Sequence, residues 1–452
     1  MSETERTTPE SVSEGTTRSG NEEELHQERV RLSRGSREVW TIRMREALER
    51  GNQGRKWHTL IDKVYSPKTL KEAVQQVTAR KRAPGIDGQT PQAVRQRWEK
   101  EIEEVGRLLR EGKYQPRPVK RVWIEKAGSR DKRPLGIPTV RDRVVQSALL
   151  YVIEPIFEAG FAEHSYGFRP RRSARQAVER VETLLDEERY WVVDADIKGY
   201  FDNIPQDQLL ERVSEKIADS KVMEMIERFL KQGVMESAKE WRPTEMGTPQ
   251  GAVLSPLLAN IYLDALDHEM AEQGQEMVRY ADDLVVLCRS EEEAQSVLGR
   301  IEQWMKEAGL SLHSEKTKIV DARERGGFEF LGWHFERGYK WPREKSQKRF
   351  RDAIRQETKR SNGRSLEAII DRVNRRVIGW GNYFQGGVDN VSKKLDSWVR
   401  MRLRSILRKR VKRKGRGHGR DHNRYPNAFF AEAGLISLST ITHPQPPAPQ
   451  KE

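Results

Sequence analysis

Cysteine is almost absent: Cys288 is the only one in 452 residues. That excludes an intramolecular disulfide and any multi-cysteine zinc site. Long apolar runs are missing too, since no stretch approaches the roughly 18–20 residues that a membrane span needs. The opening residues, "MSETERTTPESVSEG", have no basic start followed by an apolar segment, so no signal peptide is expected. Acids are in deficit, with 69 Asp and Glu against 83 Lys and Arg. The net charge of +14 and pI of about 9.6 call for a polyanionic partner, nucleic acid before an anionic membrane surface. The expectation is a soluble cytoplasmic chain with no membrane part.

What is present suffices for a large core. Residues 1–36 are rich in Ser, Thr, Glu and Arg and nearly free of large apolar side chains, so disorder is expected there. A helical pattern begins near Val39. "SPKTLKEAVQQVTARK" predicts a helix with Ser66 as its cap and Pro67 at its first position. The Pro/Gly/Asp turn "APGIDGQT" stops it. "VKRVWIEK" and "RPLGIP" predict two strands joined by the polar loop "AGSRD", and residues 139–340 mix strands with helices. Beyond Pro342 the chain turns helical and basic. Leu366, Ile369, Ile370, Val373 and Val377 fall on one helical face, and Leu395, Trp398, Val399, Leu403, Ile406 and Leu407 on another. Residues 439–452 read as a Pro-rich tail, and no internal repeat is present.

The chemistry concentrates in two acidic stretches. "RYADDLVVLC" sets Asp282 and Asp283 between short apolar runs, which predicts a hairpin with both aspartates at its tip. "YWVVDADIKGYFDNI" is an apolar strand, Trp191 to Val193, running into Asp194 and Asp196. A carboxylate ending a buried strand and facing a second pair makes a hard-oxygen site for Mg²⁺. Two such ions, about 4 Å apart, can activate an attacking hydroxyl and stabilise a leaving pyrophosphate. A lone Asp-Asp pair is usually a solvated turn. Apolar strands on both sides and a second acidic strand weigh against that here.

"YADD" together with "DADIKGYF" resembles motifs C and A of reverse transcriptases. "GTPQGAVLSPLLANIYLDALD" resembles their motif B in the form found in group II intron-encoded reverse transcriptases, the maturases. "APGIDG", "KRPLGIPTVRDRVVQ", "HSYGFRPRRSARQAV", "SLHSEKTKIV" and "FEFLGWHF" follow the family's order across residues 60–435. The resemblance implies an α+β right-hand polymerase fold, with fingers and palm over residues 37–340 and an α-helical thumb, or maturase domain, over 341–438. It assigns metal binding to Asp196, Asp282 and Asp283, with the Ile197 carbonyl as an extra ligand, and Mg²⁺ (two ions, or Mn²⁺ in their place) as cofactor. Asp196 is chosen over Asp194 because Phe201 follows it by five positions, as motif A requires. Asp194 shares its strand face and keeps a supporting role open.

Phe201 becomes the gate whose ring fills the space of a ribose 2′-hydroxyl, against the alternative of a core aromatic. Two glycines around Pro249-Gln250 let backbone approach the nucleotide closely, and Gln250 becomes the contact to its sugar. Ser255 and Pro256 are expected to cap the next helix, with Leu254, Leu257, Leu258 and Ile261 on its core side. Lys126 and Arg133, on the two fingers strands, become triphosphate grips. Lys316 resembles the motif D lysine that protonates pyrophosphate, with Lys318 close enough to compete for the assignment.

Residues 391–425 carry 14 Lys and Arg against two acids. Such a run suits a phosphate backbone, and the family binds structured intron RNA with its thumb. Arg408, Lys409, Arg410, Lys412 and Arg413 are the candidate RNA contacts. His418 and His422 lack cysteine partners for a metal site. The implied function is RNA-directed DNA synthesis, with an RNA template, DNA primer and dNTPs as substrates, plus binding of a host group II intron RNA in a nucleoid-associated prokaryotic setting. The alternatives are an RNA-binding splicing cofactor with a vestigial polymerase, and a domesticated relative in defence or repair. The sequence leaves the oligomeric state open.

Overall fold

The computed structural model describes residues 33–50, 56–125, 132–237, 240–415 and 419–444. Its strands, in chain order, are β1 (Val119–Glu125), β2 (Lys132–Ile137), β3 (Trp191–Asp196), β4 (Val234–Ser237), β5 (Glu240–Arg242), β6 (Glu276–Tyr280), β7 (Asp283–Cys288), β8 (Lys318–Asp321), β9 (Phe328–Phe330), β10 (Trp333–Glu336) and β11 (Tyr339–Pro342). They form three sheets. The order β2-β1-β4-β5 makes the fingers sheet, β6-β7-β3-β8 the palm sheet, and β11-β10-β9 a small sheet beside it. With helices around the sheets and a helical C-terminal part, the fold is α+β.

Alternation along β3 and β7 decides where the core lies. Val193, Ala195, Leu284, Val286 and Cys288 face a large cluster that includes the helices Val140–Glu158, Ser255–Glu272 and Glu291–Glu307. On the opposite face, Val192, Val285 and Leu287 meet the helix Ala174–Asp186 and the aromatics Phe328, Phe330, Trp333 and Phe335. That second face is also the face of Asp194 and Asp196, two and four residues beyond Val192. The acids stand at the end of the sheet where β3 finishes and β7 begins.

The thumb core joins Phe350 and Ile354 to both expected stripes, from Leu366 to Val377 and from Leu395 to Leu407, with Trp398 at its margin. Among the described residues, no helix is long and apolar enough to cross a membrane.

Several sequence expectations need correction. The disordered extension cannot run to residue 36, because Ser33 caps a helix, Arg34–Val39, and the buried Ser36 donates to Glu154 Oε2 at 3.0 Å. Residues 1–32 lie outside the described residues. The boundary drawn between 340 and 341 cuts β11, whose ladder with β10 runs to Pro342. The tail cannot begin at 439, since the helix Leu438–Thr442 docks on the thumb through backbone N–H groups of Leu438 and Ser439 given to Asp396. Residues 445–452 lie outside the described residues. Ser66 and Pro67 do open the helix Pro67–Thr78, but the serine makes no capping bond.

Candidate active site

Register brings the acids together. In the β3–β7 ladder Asp196 stands directly opposite Asp283, and in the β6–β7 hairpin Asp283 stands opposite Tyr280. The turn therefore consists of Ala281 and Asp282 alone, so Asp282 and Asp283 are at the tip as expected. Ala281 has a φ of 60°, a left-handed conformation that costs an alanine roughly 1 kcal/mol or more. Buried Arg279 holds it there. Its Nη1 donates to the Ala281 carbonyl at 3.0 Å and to Asn260 Oδ1 at 3.1 Å, while the guanidinium forms a buried ion pair with Asp267. Gly167 closes the other side, because a Cβ there would lie 2.3 Å from the Ala281 nitrogen.

Burial and mutual repulsion make this an acid-rich site short of counter-charge. Burial raises the Asp283 carboxyl from 3.8 to about 7, with Asp194, Asp282 and Asp196 adding to the shift. Asp194 is raised to about 6, again by burial first, with Lys318 opposing. Asp282 is raised by burial and by Asp196. Lys316 Nζ lies 2.5 Å from Asp196 Oδ2, whereas Lys318 stands opposite Asp194 on β8. The two lysines thus serve different aspartates, and Lys316 is the one at Asp196. Among the described residues, no three His, Cys, Asp or Glu side chains stand as a ready-made metal cluster. The donors are nevertheless hard oxygens on adjacent backbone positions, the chemistry that suits Mg²⁺. Buried Ile197 bridges Leu312, and the bonds flanking that bridge use the Asp196 carbonyl and the Lys198 N–H, so they do not occupy the Ile197 carbonyl.

The nucleotide candidates flank the acids. Gly199, at φ 55°, turns the chain from β3 into the short helix Tyr200–Asn203. The half-buried Phe201 ring meets Phe168 at 6.3 Å and Tyr200 at 5.6 Å. The Thr248 N–H donates to the Phe201 carbonyl at 2.7 Å, clasping the "GTPQG" loop to this helix. Gln250 Nε2 donates to Asp202 Oδ2 at 2.9 Å. Arg133 is exposed on β2 opposite Ile124; Lys126 lies outside the described residues. Ser255 is not a cap. It is the first helical residue, and its hydroxyl donates to the Pro249 carbonyl at 2.8 Å. Buried Gln146 Oε1 accepts from the Val253 N–H at 2.7 Å, just ahead of the helix, which has no side-chain cap. The helix Ser255–Glu272 is buried nearly all round, not along the single stripe expected.

In the thumb, Lys409, Arg410, Lys412 and Arg413 are exposed. Arg408 is not a free cation. It donates to Asp421 Oδ2 at 2.5 Å and to the Lys414 carbonyl at 2.7 Å, tying the helix Asp389–Arg410 to the helix Arg420–Arg424. His422 is exposed, and His418 lies outside the described residues.

Residues 124–335 match the family model of the reverse transcriptase (RNA-dependent DNA polymerase), and residues 347–425 match the group II intron maturase-specific domain. Group II intron-encoded protein LtrA of Lactococcus lactis subsp. cremoris is 44% identical over 169 residues, 37% of this chain and 28% of LtrA. Protein YkfC of Escherichia coli K12 is 32% identical over 367 residues, 71% of this chain and 92% of YkfC. The chain belongs to the group II intron-encoded reverse transcriptases. Its match spans little more than a quarter of LtrA. Sequence reading did not single out Arg279, Gln146 and Phe168, which the structure sets against the hairpin turn, the "GTPQG" loop and Phe201. Arg279 carried a usable signal, since a charge inside the apolar run "MVRY" must find a partner when the strand is buried. Gln146 carried none, because its role depends on which loop folds over it.

Proposed function

We propose that the chain is an RNA-directed DNA polymerase that also binds its host group II intron RNA and assists splicing and mobility, in a prokaryotic, nucleoid-associated setting. The observation that carries the reading is the register of Asp196 opposite Asp283, beside Asp282 in a two-residue turn. Intact carboxylates favour a working polymerase over a vestigial one. The substrates are an RNA template with a DNA primer, and dNTPs.

Asp196, Asp282 and Asp283, with the Ile197 carbonyl, would hold two Mg²⁺ ions (or Mn²⁺), which supply Lewis acidity at the reacting phosphate. Lys316, within hydrogen-bond reach of Asp196, gives its proton to the pyrophosphate as that charge develops. Phe201 excludes a 2′-hydroxyl, and Gln250 contacts the sugar. Arg133 and Lys126 hold the triphosphate by charge. Lys409, Arg410, Lys412 and Arg413 track RNA phosphates.

Asp282→Ala tests the division of labour. DNA synthesis should fall by several orders of magnitude, because a charge-stabilising group is removed where charge develops. Intron splicing should persist, because the RNA-binding cations are untouched. Both are assayed with the same folded mutant. Equal loss of both refutes separate surfaces, and retained synthesis refutes the catalytic assignment.

A further inference from the structure

Asp202 follows Phe201 directly, and it and Gln250 line a cavity of about 350 Å³ together with Arg121, Gly136, Thr248 and Pro249. The backbone around them is pinned. The Gly247 N–H donates to the Ile204 carbonyl at 2.8 Å, the Thr248 N–H to the Phe201 carbonyl at 2.7 Å, and the Gly136 N–H to the Gln250 carbonyl at 2.7 Å. What remains to be oriented is the Gln250 carboxamide, whose terminal torsion is broad and two-fold, presenting either NH₂ or oxygen. An ionised carboxylate only accepts, so Asp202 selects the NH₂, which it holds at 2.9 Å. Burial raises the Asp202 carboxyl above its usual value, while the charge of Arg121 and the hydrogen bond from Gln250 favour the ionised form. Oε1 is thereby turned away, and it has no donor among the described residues.

We propose that Asp202 is a positioning residue that keeps Gln250 Oε1 available to accept a hydrogen bond from the 3′-hydroxyl of the incoming nucleotide. The inference rests on the polymerase reading, under which Phe201 excludes a 2′-hydroxyl and the 3′-hydroxyl is the sugar's one remaining donor. Asp202→Asn keeps the shape but offers both a donor and an acceptor, so the amide loses its preferred orientation.

The test is single-nucleotide extension of a DNA primer on an RNA template, comparing dTTP with ddTTP, which lacks that hydroxyl. The full chain, Asp202→Asn, Gln250→Ala and the double variant are measured. A neutral hydrogen bond predicts that wild type prefers dTTP about three- to ten-fold through this contact. Asp202→Asn halves the population of the productive amide orientation, so it should lower kcat/KM for dTTP about two-fold, mainly through KM, and leave ddTTP unchanged, while Gln250→Ala should remove the whole preference. In the Gln250→Ala background, Asp202→Asn should have no further effect, because it acts through the glutamine. Equal losses on both nucleotides, additive losses in the double variant, or no change on either would each overturn the proposal. A wild-type chain that extends no primer would overturn the polymerase reading and this inference with it, a result distinguishable from the other three.

Discussion

Asp283→Asn should stabilise the metal-free protein while abolishing its activity. Folding moves this carboxyl from 3.8 to about 7, by burial first and then by the charges of Asp194, Asp282 and Asp196. At about 1.4 kcal/mol per tenfold change in proton affinity, the displacement corresponds to roughly 4 kcal/mol against the ionised form. The acids titrate as a coupled group, so about 1–3 kcal/mol is expected for this one residue. The direction follows from linkage. Because the folded value is raised, the penalty is fully present above about pH 7, shrinks as pH falls, and is gone below the unfolded value of 3.8.

Metal-free wild type should therefore gain stability between pH 8 and pH 5, and the variant should gain less. At pH 8 in EDTA the variant should unfold at higher denaturant concentration, and the two proteins should converge near pH 4. Adding Mg²⁺ should stabilise wild type more than the variant, by preferential binding to the folded form. The measurement is the denaturation midpoint across that pH range, with and without EDTA, followed by primer extension. A variant that is less stable than wild type at every pH would mean that the Asp283 carboxylate is a structural acceptor, and the repulsion argument would be wrong.

Phe201→Ala should admit ribonucleotides during synthesis on an RNA template; unchanged discrimination returns the ring to a packing role. Phe168→Ala should weaken the same discrimination to a smaller degree, because Phe168 meets the Phe201 ring edge-on without being the gate itself. Arg279→Met should cost about 3–5 kcal/mol, since it leaves Asp267 buried and unpaired; thermal unfolding of the variant reads this directly, and a loss under 1 kcal/mol would remove Arg279 from its bracing role. Replacing Lys409, Lys412 and Arg413 with Gln should flatten the log–log salt dependence of RNA binding by roughly 0.7–0.9 for each phosphate that is no longer neutralised. Arg408→Gln should instead lower thumb stability with little change in slope, and a slope change as large as that of its neighbours would restore it as an RNA contact.

The acidic hairpin was legible because its signal is local: two short apolar runs, a polar break, and a second strand ending in the same residue type. Choosing Asp196 over Asp194 needed the motif, since both aspartates share one strand face. Their difference is tertiary, because Asp196 faces Asp283 while Asp194 faces Val285. Lys316 and Lys318 could not be separated for the same reason. The pairing of β8 with β3 begins at Lys318, committing it to Asp194, and the preceding loop carries Lys316 to Asp196. Ser255 shows the opposite failure, a local signal that misled. Ser-Pro before an apolar run looks like a capped helix start, yet the "GTPQG" loop folds back and Ser255 takes its carbonyl, while Gln146 holds the Val253 N–H just before the helix.

The basic segment shows what composition cannot resolve. A charge count treats every arginine as a solvated cation, but guanidinium groups also bridge helices when carbonyls and carboxylates lie in reach. Arg404 is buried, donating to the Tyr425 carbonyl and to Asn427 Oδ1, and Arg408 is held by Asp421 and Lys414. Arg410 donates to the Arg364 carbonyl while remaining exposed. Arg404 and Arg408 therefore hold the thumb together, while Lys409, Lys412 and Arg413 are exposed to a polyanion. Stability and RNA affinity should accordingly separate along a few residues of one helix end, with Arg408 on the structural side and Lys409, Lys412 and Arg413 on the binding side.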